Sequence, residues 1–133
     1  MDGSINDLAK YRLQKAKEDL NRARRELEVS DYKLALNRSY YAIFHALRAV
    51  NTLDGFDSSK HSGVIAHFNQ YHVKNNDFPP DVSKKIAAAM NVRQASDYDD
   101  FFIASKKEAE KQVDVANEIV ALVESFLYKR IEA

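Results

Sequence analysis

Asn37-Arg38-Ser39-Tyr40-Tyr41-Ala42-Ile43-Phe44-His45-Ala46 is the stretch whose reading decides the fold. It reads as helix. Tyr32, Leu36, Tyr40, Ile43, Phe44, Leu47 and Val50 recur along one face at helical spacing, which is the pattern of a buried stripe. Arg38 and His45 stand seven residues apart in it. At about 100° per residue, seven steps return to within roughly 20° of the start, so both side chains emerge on one line about 10 Å apart along the axis. Arg38 is the only formal charge between Leu34 and Leu47. A lone guanidinium in such a segment needs a partner, and a phosphate suits its fork. A histidine on the same line can move protons near neutral pH. The pair points to phosphate-ester chemistry, with RNA as the expected substrate.

The same helix carries Ala35, Ala42 and Ala49 at intervals of seven. Small residues repeated that way let another helix approach closely. A helix apolar on two sides is expected between two layers, one of them its own bundle and the other a second subunit.

Outward from this segment the chain reads as helices joined by short breaks. A first helix is expected from about Asn6 to Glu28, capped by Asn6 or Asp7, with Leu8, Tyr11, Ala16, Leu20, Ala23 and Leu27 inward. Ser30 or Asp31 caps the second, which runs to about Asn51. A third spans about Lys60 to Val73, a fourth starts at about Asp81 and fades near Ser96-Asp97-Tyr98, and a fifth spans about Ser105 to Ile131. Three glycines and two prolines in 133 residues favour helices with short connections over sheet. The expected fold class is all-α: an antiparallel up-and-down bundle of four main helices plus a short one, one domain over residues 1–133.

Composition narrows the function classes. Twenty basic and twenty acidic residues give no bulk attraction to a polyanion, so any RNA site is local. The absence of cysteine removes disulfides, thiolate zinc sites and cysteine nucleophiles. No apolar run approaches the ~20 residues of a membrane span. Met1-Asp2-Gly3-Ser4 lacks the basic and apolar regions of a signal peptide. The expectation is a soluble cytoplasmic protein. His61, His67 and His72 follow one another at spacings of six and five, which on a regular helix places them on different faces, so no metal site is expected.

Helical side chains lean toward the N-terminus, so Arg38 leans away from His45 and the pair does not close on one phosphorus within a single chain. A two-fold dimer through this face would gather two such pairs into one cleft. Two histidines and two arginines then serve as base, acid and charge clamp for attack by a ribose 2′-hydroxyl, with no cofactor and no metal required. The structural alternative is that Arg38 pairs with a buried carboxylate such as Asp97 and His45 is a satisfied core histidine. Spacing alone leans to that alternative.

Residues 37–46 resemble the signature helix of HEPN domains, whose motif is arginine, four to six residues, then histidine. Lys60-His61-Ser62-Gly63-Val64 and Arg93-Gln94-Ala95-Ser96-Asp97-Tyr98-Asp99 extend the likeness, which covers about Tyr11 to Phe126. The resemblance implies a homodimer and a metal-independent endoribonuclease of the toxin or defence kind. Arg38 would hold the scissile phosphate and His45 act as acid or base, with Asn37, Ser39, Tyr41, Asp97 and Tyr98 in support. It also implies a minimal nucleotidyltransferase antitoxin as partner. The alternative within the same likeness is a non-catalytic module that binds a nucleotide or that partner. Ser39 stands where catalytic members often carry Asn, Asp or His. Leu47 stands where some toxin members carry a tyrosine that the antitoxin modifies with AMP, so that regulation is not expected here.

Overall fold

A computed structural model describes residues 2–132. It contains α1 (Asp2–Glu28), α2 (Tyr32–Leu53), α3 (His61–Phe68), α4 (Asp81–Tyr98) and α5 (Lys106–Ile131), with a π-helical turn at Asn69–Val73 continuing α3. Among the described residues there is no strand, and no helix is long and apolar enough to cross a membrane. The all-α bundle expected from the helical periodicity is what forms.

The α1–α2 junction shows how local chemistry sets the topology. Asp31 N–H donates to the Glu26 carbonyl at 2.9 Å and Ser30 N–H to that of Leu27 at 3.1 Å, while Ser30 adopts φ 63°. This is the reversed closing turn that usually carries glycine. Asp31 then caps α2, its carboxylate accepting from Leu34 N–H at 3.1 Å. Of the two expected caps, Asp31 performs the role and Ser30 makes the turn. A connection of three residues leaves α1 and α2 antiparallel, and this is the most extensive helix pair in the molecule. α5 packs against both.

The core lies between α1, α2 and α5, with α3 and α4 packed against α2. Tyr40, Ile43, Leu47 and Val50 of α2 meet Ala9, Leu13, Ala16 and Leu20 of α1 and Ala116, Ile119, Val120, Val123 and Leu127 of α5 in one apolar cluster. The alanine row of α2 is fully buried inside this chain, Ala35, Ala42 and Ala49 all at 0% exposure. The close neighbours those small residues admit are therefore the chain's own helices.

Two expectations for α1 are corrected. The helix begins at Asp2, so Asn6 and Asp7 lie inside it and cap nothing. Its inward stripe is Ala9, Leu13, Ala16, Leu20 and Ala23, whereas Leu8 and Tyr11 are 41% and 57% exposed. The apolar residues at 8 and 11 belong to a neighbouring line of the helix, which faces a cleft.

Candidate phosphate-binding cleft

α2 turns Arg38, Tyr41, His45 and Arg48 outward along one edge, spaced at three and four residues as a helical line requires. α1 runs antiparallel beside it and presents Leu8, Tyr11, Arg12, Lys15, Glu18, Asp19 and Arg22. Between them is an open cleft of about 480 Å³ lined by these α1 residues with Arg38, His45 and Arg48. Five permanent cations and two carboxylates face the space, so a locally basic site exists on a chain without net charge.

Asp19 organises the centre. The residue is buried, its carboxylate side chain 9% exposed. One oxygen lies 3.3 Å from Arg38 Nη1, the other 3.5 Å from His45 Nε2, and Arg22 Nη1 approaches the first at 3.9 Å. The buried-carboxylate reading of Arg38 is thus right in kind and wrong in residue, since Asp97 pairs instead with Arg93 at 2.9 Å. It also alters the geometric expectation for one chain. Arg38 does lean away from His45 by helix geometry, but a carboxylate from the facing helix spans the interval and meets both.

Arg38 is held on three sides. Its Nε and Nη2 donate to Asn37 Oδ1 at 3.1 and 2.7 Å, its Nη1 meets Asp19, and its guanidinium lies 5.4 Å from the Tyr41 ring centroid. Arg93 lies 5.6 Å from the same ring and donates to the Tyr41 hydroxyl at 3.2 Å. Tyr41 therefore links the cleft to the Arg93–Asp97 pair. A ring between two guanidinium groups favours both through its negative face.

Burial pushes the His45 imidazole below its ordinary value of 6.5; Asp19 opposes this, while Arg48, Lys15 and Arg12 add to it. The ring is accordingly neutral at pH 7 and able to accept a proton. A bound phosphate would add negative charge nearby and favour the protonated ring.

The far end of the cleft is set by a loop. Asp57 accepts from Arg48 at 3.2 and 3.0 Å and from Arg12 at 3.1 Å. Burial works to raise the Asp57 carboxyl, but the bonds from Arg48 and the Ser58 N–H, with the two arginine charges, hold it below the usual carboxylate range. Arg12 also donates to Thr52 Oγ1 at 2.7 Å.

Of the residues singled out in the sequence, Arg38, His45, Asn37 and Tyr41 are brought together. Ser39 is not, being 1% exposed in the packed interior with no hydrogen-bond partner for its hydroxyl. Tyr98 is 77% exposed at the end of α4 and makes no hydrogen bond into the cleft among the described residues. Asp97 reaches it only through Arg93 and Tyr41. His61 opens α3 and lies against α2, stacked on Phe44 at 4.1 Å, its Nδ1 2.8 Å from the Tyr40 hydroxyl. Burial pushes the Tyr40 hydroxyl up to about 12. It keeps its proton and donates to His61, which burial and the charges of Arg93 and Arg48 keep neutral.

Asp19 is the residue the sequence reading missed. A signal was present. Position 19 is three after Ala16 and four before Ala23, which puts an acid at the edge of the apolar stripe of α1, opposite the single charge of the α2 stretch. Three groups in the chain also stand as metal ligands would, Asp54, His67 and His72, and they lie outside the cleft lining.

Comparison with known proteins places these residues in context. A family model described as the HEPN domain matches residues 9–126. A Methanocaldococcus jannaschii protein named "Putative toxin MJ0142" is 32% identical over 98 residues, 68% of this chain and 67% of its own. A UPF0332 protein of Thermotoga maritima is 33% identical over 91 residues, 68% and 69% of the two chains. A UPF0332 protein of Archaeoglobus fulgidus is 31% identical over 123 residues, 92% of each.

Proposed function

The chain belongs to the HEPN domain family, and from that premise we propose that it is a metal-independent endoribonuclease acting as a toxin or defence component. The observation that carries the reading is the convergence of Arg38 and neutral His45 on one small anion-sized gap, now filled by the Asp19 carboxylate. A scissile phosphodiester in this place would set a non-bridging oxygen at Arg38 and the neighbouring 2′-hydroxyl at His45.

In the proposed reaction, His45 takes the proton of a ribose 2′-hydroxyl. The 2′-oxygen attacks the adjacent phosphorus while Arg38 neutralises the non-bridging oxygens, and the 5′-oxygen leaves with a proton. The products are a 2′,3′-cyclic phosphate and a 5′-hydroxyl end. General-base help and charge neutralisation of this sort lower the barrier without a metal. Asn37 holds the guanidinium plane. Arg12, Lys15, Arg22 and Arg48 receive the flanking phosphates. The active unit in this reading is a cytoplasmic homodimer of single-domain chains over residues 1–133, in which a second His45 supplies the leaving-group proton. Its proposed partner is an antitoxin, which the toxin name of the archaeal relative supports, and the family resemblance implies that this antitoxin is a minimal nucleotidyltransferase.

One observation favours a second reading. Asp19 already engages both Arg38 and His45, as it would in a module that binds a nucleotide or a partner protein without cleaving RNA. Expression in a bacterial host separates the two. The nuclease reading expects growth arrest by wild type, relieved by both Arg38→Ala and His45→Ala. Normal growth with abundant folded wild-type protein supports the binding module.

A further inference from the structure

His67 and His72 are five residues apart, a spacing that on a regular helix turns their side chains to different faces. The π-helical turn at Asn69–Val73 corrects this. A π turn holds one residue more than an α turn, so His72 arrives where the fourth residue after His67 would stand. The two rings come onto one face, their centroids 6.4 Å apart. Both address the residue that ends α2. His67 Nε2 lies 2.9 Å, and His72 Nε2 2.6 Å, from the same oxygen of Asp54. The three ligand atoms lie within 4.8 Å of one another.

The far side of His72 is occupied as well. Its Nδ1 is 3.0 Å from Asp77 Oδ2. The ring is 3% exposed and lies between two carboxylates. With a cation on the Nε2 side, Nδ1–H donates to Asp77 and Nε2 offers its lone pair, which is the carboxylate–histidine–metal arrangement that orients ligating histidines. Phe56 stacks on His67 at 4.0 Å and fixes that ring in turn.

We infer that Asp54, His67 and His72 form a zinc site, with Asp77 orienting His72 from behind and a water completing the coordination at the exposed Asp54 side. Two imidazoles and one carboxylate suit zinc, and two histidines at helical i,i+4 placement are a common half of such sites. Tetrahedral coordination sets ligand atoms about 3.3 Å apart. The Asp54 oxygen therefore retreats from the two rings by about half an ångström as the ion enters. The site lies apart from the residues of the cleft, and its role is mechanical. It ties the end of α2 to the π turn and steadies the 54–60 loop, whose Asp57 holds Arg12 and Arg48.

The test uses the full chain, stripped with EDTA and exchanged into chelator-free buffer. Zinc is titrated against a chromophoric chelator, thermal unfolding is followed with and without zinc, and the cobalt form is examined for the visible bands of four-coordinate nitrogen–oxygen ligation. The expected result is one zinc per chain, a raised Tm that EDTA reverses, and those cobalt bands. Asp54→Asn and His67→Ala each weaken binding about tenfold or more, and His45→Ala leaves it intact. Absence of stoichiometric zinc binding or of the cobalt bands in wild type overturns the assignment. So does binding that survives both site variants, or that is lost with His45→Ala. The wild-type readings decide the matter even if a variant fails to fold.

Discussion

Asp19 of α1 meets Arg38 of α2 with one carboxylate oxygen at 3.3 Å and His45 with the other at 3.5 Å. This relationship makes two residues seven apart on one helix into a single site. It also gives the free protein an internal anion where the proposed reaction places a phosphate.

Asp19→Asn removes that anion from a cleft with five cations. The expected result is tighter RNA binding, by about fivefold, on the order of 1 kcal/mol for one unit charge across a few ångströms of wet protein. Because Asp19 supports the protonated form of His45, the variant also lowers the His45 pKa further. Fluorescence anisotropy with a non-cleavable RNA reads the first effect and NMR titration of the imidazole the second. Unchanged affinity together with an unmoved titration would remove Asp19 from the site.

The depressed His45 pKa has a consequence for stability. The folded chain holds this ring neutral, whereas the unfolded chain protonates it near 6.5. The contribution is complete above that value and is lost as pH falls toward the folded pKa, because the unfolded state then binds more protons. His61 acts in the same direction. Thermal melts from pH 7.5 down to 5.5 should show Tm falling with acidification, and a shallower fall for His45→Ala. A slope identical in the two proteins would show that His45 is not held neutral by the fold.

Arg48→Gln and Arg12→Gln address the basic end of the cleft. If each arginine neutralises one RNA phosphate, either change flattens the slope of log K against log salt by about 0.7 for single-stranded RNA. Weakening should be similar across sequences, as expected of phosphate contacts. A salt slope equal to that of wild type would mean the flanking phosphates pass elsewhere.

The α1–α2 junction gives a prediction independent of function. Ser30 sits at φ 63°, a conformation costly for a residue with a Cβ. Ser30→Gly should stabilise the fold by about 0.5–1 kcal/mol after the added freedom of the unfolded chain is counted. Asp31→Ala removes the cap from α2 and should cost about 1 kcal/mol. Urea midpoints for the two variants should move in opposite directions.

Much of this architecture is legible in the residues themselves. The stripes of α2 and α5 are unbroken, with Ala109, Val113, Ala116, Val120, Val123 and Leu127 all buried as their spacing requires. Arg38 and His45 are legible because a charge and an imidazole interrupt an otherwise apolar stretch. What periodicity could not convey is pairing across helices. Asp19 looks like one acid among many in a charged helix until α2 lies against it. Leu8 and Tyr11 look inward because their spacing is helical, yet only the neighbouring line reaches the core. The meeting of His67 with His72 depends on one extra residue in a turn, which leaves the apolar pattern of Val64 and Phe68 untouched. The placement of Ser39 in the interior follows from its neighbour Tyr40 turning inward as well.

The central claim, that Arg38 and His45 cleave RNA without a metal, is tested most directly by incubating a labelled structured RNA with the protein in excess EDTA. Wild type is compared with His45→Ala shown to be folded and of the same oligomeric state. Wild type is expected to cleave, leaving 2′,3′-cyclic phosphate ends, with a loss of about 10²–10⁴-fold in the variant. Equal cleavage by both proteins, or none by wild type across several RNAs that it binds, would contradict that claim.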